Sequence, residues 1–366
     1  MDLLKILKTA FDMDASDVHL IAGQPPTARV HQVMTPMDFP VLTPQTSRQF
    51  FEQMSPKESQ AMFEKNKDAD FSYQVDGLAR YRVNAHMQRG SVGLAMRMIK
   101  TSVPPLAKLN LPEVIARLTY LPRGLVLVTG DTGSGKSTTL AAMIQAMNER
   151  YRKHIITLED PVEFMHASQQ SLVIQRELGT HVGTFKDGLR SALRQDPDVI
   201  LVGELRDTET IQLALEAAET GHLVFGTLHT RGAAQSIDRM VDAHTSDNQS
   251  QLRHSLADNL KAVVSQELIR AADGRGRRAA LEILVVTAAV AQLIREGKTF
   301  QIPSAIITGK RVGMQLMDQA LLALVRAGDV DPNEAFLRAE DKWGFAPFVT
   351  RPELLQMMSG AEARTP

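Results

Sequence analysis

The sequence predicts an α/β protein in which a small α+β domain precedes a P-loop domain built on a mostly parallel sheet. Three observations carry this. A glycine-rich loop sits between a short apolar strand and an amphipathic helix within residues 124–147. From about residue 120 onward strand patterns alternate with helical ones, the arrangement that produces parallel sheets. Before that point, residues 71–98 alternate apolar and polar with a period of two, as antiparallel strands with one buried face do.

The glycine-rich loop reads Gly130-Asp131-Thr132-Gly133-Ser134-Gly135-Lys136-Ser137-Thr138 and matches the phosphate-binding pattern G-x-x-x-x-G-K-[ST]. Its context is the one the motif requires. The run Gly124–Thr129 is apolar and β-branched, and Leu140, Met143, Ile144 and Met147 then recur at helical spacing. Glycines allow backbone N–H groups to close around phosphate oxygens, and the helix N-terminus adds partial positive charge. Gly130, Thr132, Gly133, Ser134, Gly135, Lys136, Ser137 and Thr138 are therefore the expected nucleotide cradle. Lys136 is expected to reach the β- and γ-phosphates, and the Ser137 hydroxyl to hold Mg²⁺. A glycine-rich turn that binds nothing is the competing reading, and the strand and helix in register argue against it.

Taken in order, Leu4, Leu7 and Phe11 mark a short amphipathic helix, and Asp17–Ile21 a strand that ends at Gly23-Gln24-Pro25-Pro26. Residues Thr43–Asn66 read as helical. Phe71, Tyr73 and Val75 then alternate up to the turn dipeptide Asp76-Gly77, and Tyr81, Val83 and Ala85 follow in one phase. Arg80, Arg82 and Asn84 occupy the other phase; a third strand through Val92–Met98 has Arg97 in that same phase, so the arginines are expected on one face. A solvated sheet face is the alternative reading. Residues 1–100 are assigned to this domain, 101–118 to a linker around Thr101–Pro105, and 119–366 to the P-loop domain with its C-terminal helices.

Within that second domain the strand candidates are Gly124–Thr129, His154–Leu158, Val199–Val202, Leu223–Leu228 and Ala280–Val286. A helix over Thr208–Thr220 has Asp207 as its N-cap and Gly221 as its stop. The basic run Asp273–Arg278 reads as a solvated turn, with a polybasic patch as the alternative. Helices are expected at Met314–Arg326 and Pro332–Ala339, and a partly disordered tail after them.

Composition narrows the function classes. The 366 residues carry a formal charge of −1, one Trp and four Tyr, so no nucleic-acid partner is expected, a helicase being the reading this disfavours. There are no cysteines, which excludes disulfides and thiolate zinc sites. Charges interrupt the N-terminal eight residues, where a signal peptide is apolar, and the stretch Leu281–Ile294 is too short to span a bilayer. A soluble protein is expected.

Three further constellations carry chemistry. Leu158-Glu159-Asp160-Pro161-Val162-Glu163 places three carboxylates just past a buried strand, where ligands of parallel sheets bind. Such acids bind Mg²⁺ waters or accept a proton from attacking water; an acidic helix start capping its own N–H groups is the alternative for Asp160. Asp198-Val199-Ile200-Leu201-Val202-Gly203-Glu204 is a Walker B pattern with Gly203 at the usual aspartate position, which makes Glu204 the metal-side carboxylate. In Gly221–Thr230 the two histidines lie roughly 23 Å apart at about 3.3 Å per residue, so they share no metal. His229, at the carboxyl end, reaches toward the γ-phosphate; His222, at the far end, reads as structural.

Together these boxes resemble the type II/IV secretion ATPase superfamily, and Ser16–Leu20, Gly221–Thr230 and Ala289–Glu296 resemble its retraction ATPases of type IV pili. The resemblance covers residues 1 to about 340. It implies a PAS-like N-terminal domain and a RecA-like ATPase domain that hydrolyses ATP with Mg²⁺. It further implies a homohexamer in the cytoplasm, peripheral to the inner membrane, under a PilC-like pilus platform protein. By the same pattern Glu163 matches the catalytic glutamate and Glu204 the Walker B glutamate. Arg80, Arg82 and Arg97 match arginines that reach nucleotide across domains or subunits. Asp131 replaces the family's usual proline, with little effect expected; Ala291 and Gln292 replace the Arg-Asn of the retraction motif, which bears on partner coupling. An accessory retraction ATPase working with a sister motor, or an ATP-binding interaction subunit, are the alternative readings.

Overall fold

The computed structural model describes residues 1–30, 33–99, 103–274 and 276–356. Its chain forms two compact units, Met1–Ser102 with Glu163–Met165, and Val103–Val162 with His166–Pro366. Thr101 and Ser102 of the expected linker, Arg275 of the basic turn and the last ten residues of the expected tail lie outside the described residues.

In the first unit a helix α1 (Leu3–Asp12) leads into strands β1 (Asp17–Ile21), β2 (Thr27–Val30) and β3 (Val33–Pro36). Helices α2 (Pro44–Met54) and α3 (Lys57–Asn66) follow, then β4 (Asp68–Val75), β5 (Ala79–Gln88) and β6 (Ser91–Ile99). The helical stretch expected over Thr43–Asn66 is divided into two helices. Ser55 precedes Pro56 and takes an extended ψ of 137°, because the proline ring disfavours the helical region at the residue before it. All six strands pair antiparallel in the order β3-β2-β1-β6-β5-β4. The β5–β6 turn has Arg89 at φ 47° and Gly90 at φ 75°, the pair of left-handed residues that a type I′ hairpin needs. One sheet face buries Val18, Leu20, Tyr81, Val83, Leu94 and Met96 against Ile6, Leu7, Phe50, Phe51 and Phe63 of the helices. Burial pushes the Tyr81 hydroxyl up to about 12.

The opposite phase carries the arginines, as the alternation predicts, but they do not form one open face. Arg82 and Arg97 are exposed and directly opposite one another across β5 and β6. Arg97 is held by Asp17 at 3.1 Å. Arg80 is buried, donating to the Ser72 hydroxyl at 3.1 Å and lying 3.8 Å from the Met165 sulfur. Its side chain is covered by β4 and by the 163–165 segment of the same unit.

The second unit opens with α4 (Glu113–Leu118), β7 (Gly124–Thr129), α5 (Lys136–Arg150), β8 (His154–Glu159) and β9 (Leu172–Glu177). It continues through α6 (Phe185–Ala192), β10 (Val199–Val202), α7 (Thr208–Glu219), β11 (Leu223–Leu228), α8 (Ala233–Asp242) and α9 (Ser246–Asn259). The chain then forms β12 (Leu260–Arg270), β13 (Arg277–Val285), α10 (Ala288–Arg295), α11 (Ile302–Thr308), α12 (Met317–Ala327) and α13 (Pro332–Arg338). The sheet order is β13-β12-β7-β11-β10-β8-β9, parallel except for β13 at one edge. Leu125 and Leu127 of β7 face one buried cluster, Val126 and Val128 the other. A sheet covered on both faces explains why its strands read as unbroken apolar runs. Leu140, Met143, Ile144 and Met147 of α5 are all buried, each contributing roughly 1.5–3 kcal/mol.

Two strands of this unit escape the sequence pattern, as β2 and β3 do in the first unit. β9 is an edge strand with little buried surface, and β12 follows α9 with no intervening turn residue to announce it. No helix starts after β8: residues 160–171 are irregular, so Asp160 caps none. The helix expected from Met314 begins at Met317, because Gln315 is first paired with Ile283 of β13. Among the described residues no helix is long and apolar enough to cross a membrane.

Candidate nucleotide site

The site stands at the carboxyl ends of β7, β10 and β11, with β11 inserted between the other two. The register pairs Thr129 with Leu228 and Val202 with Gly226, so Gly130, Glu204 and His229 emerge side by side.

The loop after β7 needs its glycines for geometry. Gly130 has φ 140°, and a Cβ there would lie 2.3 Å from the Gln266 carbonyl; Gly135, at φ 88°, would meet the Gln266 amide at 2.7 Å. The loop is therefore pressed onto β12. Buried Gln266 donates to the Ser134 carbonyl at 2.8 Å and accepts from the Thr139 hydroxyl at 2.8 Å. The Lys136 ammonium is buried and folds over the loop, donating to the carbonyls of Gly130 at 2.6 Å and Asp131 at 3.1 Å. Beside it Ser137 and Thr138 are partly exposed at the start of α5, and Thr132 and Gly133 are exposed at the tip. An exposed glycine tip, a helix N-terminus and a lysine folded onto the loop carbonyls fit a polyphosphate.

Glu204 is part-buried. Its Oε1 lies 2.7 Å from Arg206 Nε and 3.5 Å from His229 Nε2. The glycine before it has a steric cause. The Gly203 N–H donates to the Leu158 carbonyl at 2.7 Å, and a Cβ would lie 2.9 Å from that oxygen, so the usual aspartate has no room. A cleft of about 670 Å³ opens here, lined by Glu204, Arg206, His229, Gln235, Asp238 and Arg239 among others. His222 lies at the opposite end of β11, its N–H donating to the Ala217 carbonyl at the end of α7.

Glu159 accepts from Thr157 at 2.6 Å and Gln175 at 3.1 Å, which ties it to its own strand and to β9. Glu163 is exposed and, with Phe164 and Met165, belongs to the first unit, as do Arg80, Arg82 and Arg97.

Several neighbours of the loop were not legible. Gln266 and Arg206 carry no motif. Arg277, in the turn expected to be merely solvated, is exposed yet donates to the Gly133 carbonyl at 3.3 Å. Asp131, expected to matter little, forms an ion pair with Arg231 at 2.9 Å. Part-buried Glu282 accepts from the Ala233 N–H at 2.8 Å, capping α8 from β13, and desolvation pushes its carboxyl up.

The segment expected to be a helix over 289–296 is α10. Val290, Ala291 and Ile294 are buried and Gly297 ends it at φ 67°. Arg295 is tied to Asp258 of α9 at 2.6 Å, and Glu296 to Lys298 at 2.7 Å.

Fold and cradle define a RecA-like P-loop ATPase. The sequence model of the Type II/IV secretion system protein family matches residues 2–334, and the chain belongs to that family. It is 47% identical over 341 residues to the type IV pilus retraction ATPase PilT of Pseudomonas aeruginosa, covering 93% of this chain and 98% of that one. Against the type IV pilus ATPase PilU of the same organism it is 38% identical over 340 residues, covering 93% and 89%. The crystal structure of the pilus retraction motor PilT with bound ADP superposes with a TM-score of 0.88 at 42% identity, covering 93% of this chain and 98% of that one.

Proposed function

We propose that this chain is a hexameric motor that hydrolyses ATP to retract type IV pili, the step that drives twitching motility. The observation that carries the reading is the meeting of Lys136, Glu204 and His229 at three adjacent strand ends, in a chain related to PilT over nearly its whole length. The identity to PilT, 47% against 38% for PilU, favours the principal retraction motor over the accessory one.

The loop amides and Lys136 bind and orient the triphosphate. Ser137 and Glu204 supply the oxygen donors for Mg²⁺, which takes one or two protein ligands beside phosphates and water. When bound, that ion neutralises charge developing on the transferred phosphoryl group. Glu163 takes the proton of the attacking water, and His229 senses the γ-phosphate while bonded to Glu204. Arg80, Arg82 and Arg97 complete the site from an N-terminal domain, stabilising charge on the phosphates. The ring works at the inner membrane, against the pilus platform protein.

Deleting the gene tests this. Cells are expected to become hyperpiliated and to stop twitching, with restoration by the wild-type chain alone. Continued twitching would exclude the principal motor role, and strand-stimulated turnover of the purified protein would revive a helicase.

A further inference from the structure

The phosphate loop and the loop that carries His229 are joined by a side-chain pair outside any motif. Asp131 Oδ2 lies 3.0 Å from Arg231 Nε and 2.9 Å from Arg231 Nη2, so one carboxylate oxygen receives two guanidinium donors. Both residues are exposed. Each is anchored on its own side. The Asp131 carbonyl receives the Lys136 ammonium at 3.1 Å and the Ser134 N–H at 3.1 Å. The Arg231 N–H donates to Gln235 Oε1 at 2.9 Å, Thr230 pairs with Ser236 at 2.6 Å, and Glu282 holds the next turn at Ala233. Two residues before Arg231, His229 faces Glu204.

We propose that the Asp131–Arg231 pair is a positioning latch, setting the distance between the phosphates held by the loop and the Glu204–His229 pair. It rests on the reading of the phosphate loop and Glu204 as the hydrolytic centre. A solvated pair of this kind adds little to stability. Its two anchors, however, are two edges of one reaction site, beyond the last backbone pairing of β7 with β11. Breaking the pair leaves the loop amides and Lys136 able to bind nucleotide. What it loosens is the alignment on which the chemical step depends, so the loss falls on kcat and spares KM.

Steady-state ATP hydrolysis by the purified full chain tests the latch through a double-mutant cycle. Asp131→Asn and Arg231→Gln are each expected to lower kcat about three- to tenfold, with KM for ATP within about twofold of wild type. The double variant is expected to be no slower than the slower single one, because the two residues act as one contact. Raising salt should slow the wild type toward the variants, since exposed pairs are screened. Unchanged kcat in the singles, additive losses in the double, or a loss confined to KM overturns the latch. Lys136→Ala and Glu204→Gln run alongside. If those two keep turnover, the site reading itself is wrong and the latch falls with it; if they abolish it, the cycle judges the latch alone.

Discussion

His229 Nε2 lies 3.5 Å from Glu204 Oε1, although 24 residues, including α7 and β11, separate them along the chain. Arg206 bonds the same oxygen at 2.7 Å, so Glu204 is held between two cationic or polar partners at the strand ends.

Glu204 and Glu163 should therefore fail differently. Glu204→Gln keeps the shape and loses the charge, so Mg²⁺-dependent turnover should fall with a raised Mg²⁺ requirement. Glu163→Gln should bind ATP and not hydrolyse it. Measuring ATP binding and turnover across a Mg²⁺ titration separates them; normal hydrolysis by Glu163→Gln with trapping by Glu204→Gln would exchange the two roles.

Gln266 is the buttress of the phosphate loop. Gln266→Ala leaves the Ser134 carbonyl and the Thr139 hydroxyl without their partner in a buried place. Unfolding free energy should drop on the order of 2 kcal/mol, and KM for ATP should rise roughly tenfold. Denaturant unfolding and steady-state kinetics check both.

His166 should make the fold acid-sensitive. Burial lowers its pKa from 6.5 to about 4, while its Nδ1 lies 3.0 Å from Gln145 Oε1. The folded state binds fewer protons than the unfolded one, so this contribution is complete above pH 6.5 and lost as pH falls from there toward about 4. The loss should be on the order of 2–3 kcal/mol. In His166→Gln, melting temperatures across that range should flatten.

Arg295 and Glu296 test coupling apart from chemistry. Their ion pairs, with Asp258 of α9 and with Lys298 just past α10, are solvent-accessible. Substituting both by Ala should barely move the unfolding transition, since exposed ion pairs add little to stability. ATPase activity and hexamer assembly should persist while pilus retraction fails. Normal retraction would remove the coupling role, and loss of ATPase would put α10 in the catalytic ring.

What was legible followed the range of the interactions. The phosphate loop, its strand and its helix are contiguous, so 124–147 could be read from local chemistry alone. The alternation that marks β4, β5 and β6 is likewise local, and so is the Asp207 cap of α7, which accepts from Thr210 at 2.8 Å. Gln266, Arg231 and Arg277 come from 100 or more residues away and act through contacts that only the sheet order creates. Their own neighbourhoods carry no pattern. Gly203 was visible as a departure from the Walker B form, but its cause, the Leu158 carbonyl on the neighbouring strand, required the β8–β10 pairing. The burial of Arg80 escaped for a similar reason, since phase says which face a side chain takes and not what covers it.

The central claim is that turnover at the phosphate loop powers the protein's work, and Lys136→Ala tests it most directly. The substitution removes the ammonium that now rests on the Gly130 and Asp131 carbonyls. Turnover of the purified variant, with its fold verified by circular dichroism, should fall by orders of magnitude. Near-normal hydrolysis would contradict the account.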